Sequence, residues 1–284
     1  MVNESPDTRA HRRGIRPTRR GRLLLLIAAV LVLGAAAAVL VPLLTREPKT
    51  AEQAGSLVIP EGWRASQVYA AADKVLGEPA GTTRRAVATA DLPLPAEARG
   101  NPEGYLFPAT YPVTSATTPK SLLRYMVDTA RNRFGADHIT AGAQRNNVSV
   151  YQTVTIASIV QAEADTGSDM GKVARVIHNR LDRGMPLQMD STLNYALNRS
   201  TLDTSTGDTK IDSPYNSYER KGLPPTPIGN PGEQAMVAAI GPTPGPWLYF
   251  VTVAPGDTRF TDDYAEQQRH VAEFNRNRRS PGTG

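Results

Sequence analysis

From residue 23 to residue 44 the chain carries 22 consecutive positions without a charge, LLLLIAAVLVLGAAAAVLVPLL. A helix of that length rises roughly 30 Å, about the hydrocarbon thickness of a bilayer. The apolar run continues through Val39, Leu40, Val41, Leu43 and Leu44, longer than the core of a cleaved signal peptide, so the pattern predicts one membrane-spanning helix. Residues 45–55 form a polar linker. Residues 57–77 then read as a short strand, a turn at 60–62 and an amphipathic helix. Residues 78–102 are rich in Ala, Pro and Gly and predict no clear element. Thr118 followed by Pro119 opens a helix to about residue 134. A second helix covers 152–164. A third covers 170–183, with Val173, Val176, Ile177 and Leu181 on one side and Gly184 as its stop. Residues 247–253, the turn 255–257 and residues 258–261 predict a hairpin, and a last helix covers 263–275. Helices and an antiparallel pair in separate stretches predict an α+β fold.

Charge sharpens the topology. Residues 1–22 hold seven arginines against Glu4 and Asp7, which accounts for the whole net charge of +5 and leaves the rest of the 284 residues neutral. Basic flanks stay on the cytoplasmic side, so the tail is expected inside the cell and everything after residue 44 outside it. A nucleic-acid reader needs a basic face on its folded part, and this chain has none to spare. There is no cysteine, which excludes disulfides, thiolate metal sites and a cysteine nucleophile. The four histidines form neither HExxH nor a pair at helical spacing, and no glycine-rich phosphate loop occurs. His178 falls inside the third helix with no nucleophile near it in sequence, and is expected on the surface.

One acidic residue stands out. Ile156, Ile159, Val160 and Glu163 are spaced i, i+3, i+4 and i+7, which puts the carboxyl on an apolar face. Desolvation there raises a carboxyl pKa and suits it to general acid work near neutral pH. Spacing leaves a second reading open, in which Glu163 at the helix end reaches solvent or pairs with an arginine. Gln188, Asp190, Ser191 and Thr192 alternate with apolar residues in what reads as a loop or short strand. Residues 213–218 (SPYNSY) and 222–232 (GLPPTPIGNPG) place tyrosines and asparagines on stiff loops, where rings stack on sugars and amides bond hydroxyls.

Six segments taken in order, EGYLFPATY (103–111), IASIVQAEA (156–164), KVARVIHNRLDRGMPLQMDST (172–192), SPYNSY, GLPPTPIGNPG and WLYFV (247–251), resemble the YceG-like family of membrane-anchored endolytic murein transglycosylases. The resemblance covers about residues 100–275. It implies that Glu163 is the catalytic acid/base and that Gln188, Asp190, Tyr215, Asn216, Tyr218 and Asn230 line a glycan cleft. It implies no metal or organic cofactor. The implied activity is lytic cleavage of bonds between N-acetylmuramic acid and N-acetylglucosamine, with 1,6-anhydro ends and termination of glycan elongation. The implied partners are peptidoglycan strands, the bilayer through residues 23–44, and the peptidoglycan synthases. Many relatives carry a second acid where this chain has Gln161. The domain expectation is a basic tail (1–22), a membrane helix (23–44), a linker (45–55), a partial LysM-like region (56–100), a catalytic domain (101–276) and a disordered tail (277–284). A hydrolytic muramidase and a non-catalytic wall-binding protein are the alternatives.

Overall fold

A computed structural model of the chain describes residues 53–200, 205 and 207–279. The expected basic tail, membrane helix and most of the linker lie outside the described residues. Among the described residues no helix is long and apolar enough to cross a membrane.

Strand β1 (Gln53–Val58) runs antiparallel to β2 (Thr110–Thr114), with Leu57 opposite Tyr111 and Val58 opposite Thr110. The β1 strand was expected; its partner was not. Helix α1 (Ala65–Leu76) follows and ends at Gly77, whose φ of 68° is the left-handed cap that glycine adopts without strain. The stretch that predicted no element holds the short helix α2 (Thr82–Ala86) and two 3₁₀ turns.

Helix α3 (Pro119–Phe134) begins as its sequence requires: Thr118 accepts from the Ser121 N–H and Pro119 takes the first helical position. An unforeseen helix, α4 (Asp137–Arg145), leads into α5 (Val150–Glu163), which is closed by a reciprocal pair. Ser149 Oγ accepts from the Gln152 N–H at 3.1 Å, and Gln152 Oε1 accepts from the Ser149 N–H at 2.8 Å. Helix α6 (Gly167–Asp182) is capped by Thr166. Helix α7 (Asp190–Ala196) occupies the stretch read as a loop or short strand. Helix α8 (Glu233–Ile240) follows the proline-rich segment, again unforeseen. The hairpin β3 (Tyr249–Ala254) and β4 (Asp257–Thr261) is paired as expected, and α9 (Tyr264–Arg279) packs on it. That helix extends three residues into the stretch expected to be disordered.

Helix α5 is the centre of the described domain. Tyr151 and every residue from Thr153 through Val160 are buried, with α6 and α8 packed against them. Val154, Ile156, Ile159 and Val160 have no exposed surface, and neither do Val173, Val176 and Ile177 on α6. The expected single apolar stripe is therefore an apolar sleeve on every side. His178 also departs from expectation. It is buried and its Nε2 lies 3.1 Å from the Ala239 carbonyl, so it ties α6 to α8 while burial pushes its pKa down. Residues 53–279 pack as one compact unit, with β1 joined to β2 across residue 100. Its strands and helices are segregated in the α+β manner.

Candidate functional site

Glu163 is the last residue of α5, and the chain turns extended at Ala164 just beyond it. The rigid, buried helix aims the carboxyl at the first turn of α7, where the Ser191 N–H donates to Oε1 at 3.1 Å. The residue is half-buried and its carboxyl is enclosed by protein atoms. Desolvation pushes its pKa up; the Ser191 contacts pull against this, and the neighbouring Asp190 charge adds to the rise. Ser191 Oγ is buried without a well-formed hydrogen bond of its own, though it lies close enough to lower the carboxyl pKa.

Asp190 is adjacent and differently held. Its Oδ1 accepts from the Tyr218 hydroxyl at 2.6 Å. Burial raises the Tyr218 pKa, and the bond to Asp190 raises it further. The loop before α7 is pinned to residues 213–218 by the Gln188 N–H on the Ser217 carbonyl (2.9 Å) and the Met189 N–H on Ser217 Oγ (2.9 Å). Gln188 is exposed, in the left-handed region at φ 52°, and its Oε1 accepts from Arg180 at 3.0 Å. Arg180 is itself buried and also donates to the Leu248, Pro186 and Leu187 carbonyls. One guanidinium thus fixes this loop to the start of the hairpin.

Of the residues the sequence nominated for glycan contact, the structure brings Asp190 and Tyr218 together near Glu163, while Gln188 bonds Arg180. Two others are held differently. Asn216 and Asn230 are fully buried, and their amides are used up on backbone. Asn216 Nδ2 donates to the Thr209 and Ile211 carbonyls, and its Oδ1 accepts from the Tyr218 N–H. Asn230 Oδ1 accepts from the Leu106 N–H at 2.8 Å, and Nδ2 donates to the Trp63 carbonyl at 2.7 Å. Both hold loops in place, because buried backbone groups demand partners. Tyr215 is half-buried; its hydroxyl pairs with Thr226 Oγ1 at 2.8 Å and its ring meets Tyr195 at 4.8 Å. Gln161 has a role of the same kind, with Oε1 accepting from the Gly232 N–H at 3.0 Å. That contact needs an oxygen acceptor, not a charge.

Sequence reasoning assigned no role to Glu103, the first residue of the EGYLFPATY segment. It is 4% exposed. Its Oε1 accepts from the Ala65 N–H at 2.9 Å, which caps α1, and Oε2 accepts from the Tyr195 hydroxyl at 3.0 Å. Desolvation dominates these bonds and the nearby Arg64, so the pKa is pushed up to about 7. Gly104, at φ 83°, follows; a Cβ there would lie 2.5 Å from Pro227, so the chain passes too close for any side chain. The available signal was a Glu–Gly pair directly before the apolar run Tyr105–Leu106–Phe107. A cavity of about 530 Å³ opens beside Glu103, and Glu163 does not line it. Among the described residues no group of three or more His, Asp or Glu side chains could hold a metal ion.

Comparison with known proteins bears on this arrangement. The chain is 36% identical over 173 residues to an endolytic murein transglycosylase of Bacillus subtilis (strain 168), covering 61% of this chain and 48% of that one. It is 37% identical over 182 residues to an endolytic murein transglycosylase of Streptococcus pneumoniae serotype 2 (strain D39), covering 62% and 33%. The chain thus spans half or less of the length of these curated relatives. The crystal structure of a yceG-like protein from Listeria monocytogenes superposes with a TM-score of 0.69 at 29% identity, covering 75% of each chain. The model of the YceG-like family matches residues 33–273, from before β1 into α9. With the central helix, the Glu163–Ser191 contact and the hairpin all inside that match, the chain belongs to the YceG-like family.

Proposed function

We propose that this chain is a membrane-anchored endolytic lytic transglycosylase that cuts the bond between N-acetylmuramic acid and N-acetylglucosamine within peptidoglycan strands. The observation that carries the reading is the Glu163 carboxyl, desolvated at the end of a rigid helix and held by one backbone N–H. The two relatives that bear the name endolytic murein transglycosylase support it.

The chemistry follows from one carboxyl doing two jobs. Glu163, whose pKa burial raises, gives its proton to the glycosidic oxygen as the bond from the anomeric carbon breaks. The sugar's own 6-hydroxyl then attacks that carbon, and its proton passes to the Glu163 carboxylate. The ring closes as a 1,6-anhydro end, and the enzyme returns to its starting protonation. Intramolecular attack replaces water by a group already in position. The Ser191 N–H steadies the transient carboxylate, and the proposal gives Asp190, fixed by Tyr218, the part of stabilising the oxocarbenium ion. Anchoring through residues 23–44, a cytoplasmic tail, an extracytoplasmic domain and work beside the synthases, ending strand elongation, belong to the same proposal.

Asp190 favours a second reading. A carboxylate close enough to raise the Glu163 pKa is what a hydrolase needs to activate water. The test uses the full chain in detergent on uncrosslinked strands, with Glu163→Gln beside it and products read by mass spectrometry. Internal fragments with 1,6-anhydro ends, absent from the variant, are expected. Reducing ends assign hydrolysis. Binding without cleavage by the wild type assigns a wall-binding protein.

A further inference from the structure

The side chains around the Glu103 cavity divide by what already occupies them. Glu103 is bonded on both oxygens, to the Ala65 N–H and the Tyr195 hydroxyl. Arg64 gives one nitrogen to the Arg199 carbonyl and lies over the Tyr195 ring, 5.2 Å from its centroid. Ser66, Tyr69, Arg84 and Asn198 line the same cavity, and none of their side chains has a hydrogen bond or ion pair to the described residues. Asn101 uses only its Oδ1, on the Glu103 N–H, and keeps its amide nitrogen. The contrast with Asn216 and Asn230, whose amides are spent on backbone, is direct.

The unused groups share a chemistry. Two hydroxyls, two amide nitrogens and a guanidinium are all able to donate, and the two guanidiniums outnumber the single carboxyl. Such a lining fits a ligand rich in acceptor oxygens and carrying a negative charge. Arg84 lies close enough to the Tyr69 hydroxyl to work against the larger effect of burial on it. The volume, about 530 Å³, is that of a site for one sugar-sized group. Position matters as well. Tyr195 follows Ser191 by four residues on α7, about 6 Å along the helix, so the cavity lies one step away from the carboxyl that Ser191 holds.

We propose that this cavity is a second saccharide subsite, which takes a carboxylate-bearing amino sugar with its carboxylate against Arg84 and its acetamido and ring oxygens on Tyr69, Asn101 and Asn198. The proposal rests on the glycan-cleaving reading above, and it makes the chain a reader of acidic sugars over neutral ones.

The test measures binding without turnover, on the full-length Glu163→Gln chain in detergent. The ligands are native glycan strands freed of their stem peptides, so that each muramic acid carries a free lactyl carboxylate, the same strands with that carboxylate amidated, and neutral N-acetylglucosamine oligomers. Native strands are expected to bind about tenfold more tightly than amidated ones. Adding Arg84→Ala should erase that difference and leave the amidated strands unchanged, and Arg84→Lys should restore part of it. Equal affinity for native and amidated strands, or an Arg84→Ala loss of equal size on both, overturns the subsite. Cleavage by the wild type is scored separately. A chain that discriminates but does not cut keeps the subsite and loses the reaction; one that cuts without discriminating does the reverse.

Discussion

Helix α7 has a buried carboxyl at each end, and the two are held in opposite ways. Glu163 meets the Ser191 N–H at the first turn, with the Asp190 charge beside it. Glu103 meets the Tyr195 hydroxyl at the last turn, with a second bond from Ala65 and the Arg64 guanidinium nearby. Burial raises both pKa values. The difference lies in what surrounds each group once it is charged. Glu103 has donors on both oxygens and serves as a brace between α1 and α7. Glu163 has one backbone donor and a like charge beside it, which is the setting the proposed reaction requires of its acid. Burial finds a perturbed acid; the partners decide whether it is a brace or a reagent.

Substitutions test that division, and the largest effect belongs to Glu163→Gln. Loss of the only proton donor in the proposed reaction should lower kcat by about 10³-fold on uncrosslinked strands, with the thermal midpoint nearly unchanged. Residual activity within tenfold of wild type would remove Glu163 from the chemistry.

Glu103 should speak through stability. Its unfolded pKa is 4.5 and its folded pKa about 7. Between those values the native state keeps a proton that the unfolded chain has released, so stability is full below the lower value and falls as pH rises through the upper one. The expected loss is about 3 kcal/mol. Denaturant titrations across that window should show the slope in wild type and a flatter line in Glu103→Gln, whose amide can still serve Ala65 and Tyr195.

Next in size is the Asp190–Tyr218 pair. Tyr218→Phe should cost about tenfold in kcat/KM by freeing Asp190. Asp190→Asn removes the charge that helps raise the Glu163 pKa, so the alkaline limb of the pH–rate profile should move to lower pH. A limb that stays put would mean that another group sets it. Smallest of all is Gln161→Glu. A carboxylate can accept from the Gly232 N–H as the amide does, so kcat/KM at one fixed pH should stay within about twofold.

Much of this was legible along the chain, and the exceptions have physical causes. Caps and period identified α3, α5 and α6, because Thr118 and the long apolar runs state a helix locally. The β3–β4 hairpin was legible in its β-branched and aromatic residues. Helix α7 was missed because seven residues give too little periodicity, and its stability comes from packing on α5. Strand β2 was missed because its pairing with β1 is long-range. The desolvation of the Glu163 carboxyl was legible from its place on the apolar stripe, and its catalytic part stays with the proposal. Asn216 and Asn230 bond backbone in the fold, and an amide on a stiff loop looks the same from sequence whether its partner is ligand or backbone. Glu103 could not be found by spacing at all, since its partners lie at residues 65 and 195.

The bonds that close the domain also set an order of assembly. Asn230 reaches back across 167 residues to the Trp63 carbonyl, and the Asn230 N–H donates to the same oxygen. Arg64 reaches the Arg199 carbonyl across 135. Ribosomes add roughly 5–20 residues per second. The segment around Trp63 therefore waits about 10 to 30 seconds after its own synthesis before Asn230 exists to receive it. During that interval α1 lacks its final partners, so the surface that will meet Asn230 and Arg199 stays uncovered until the last third of the domain has been made.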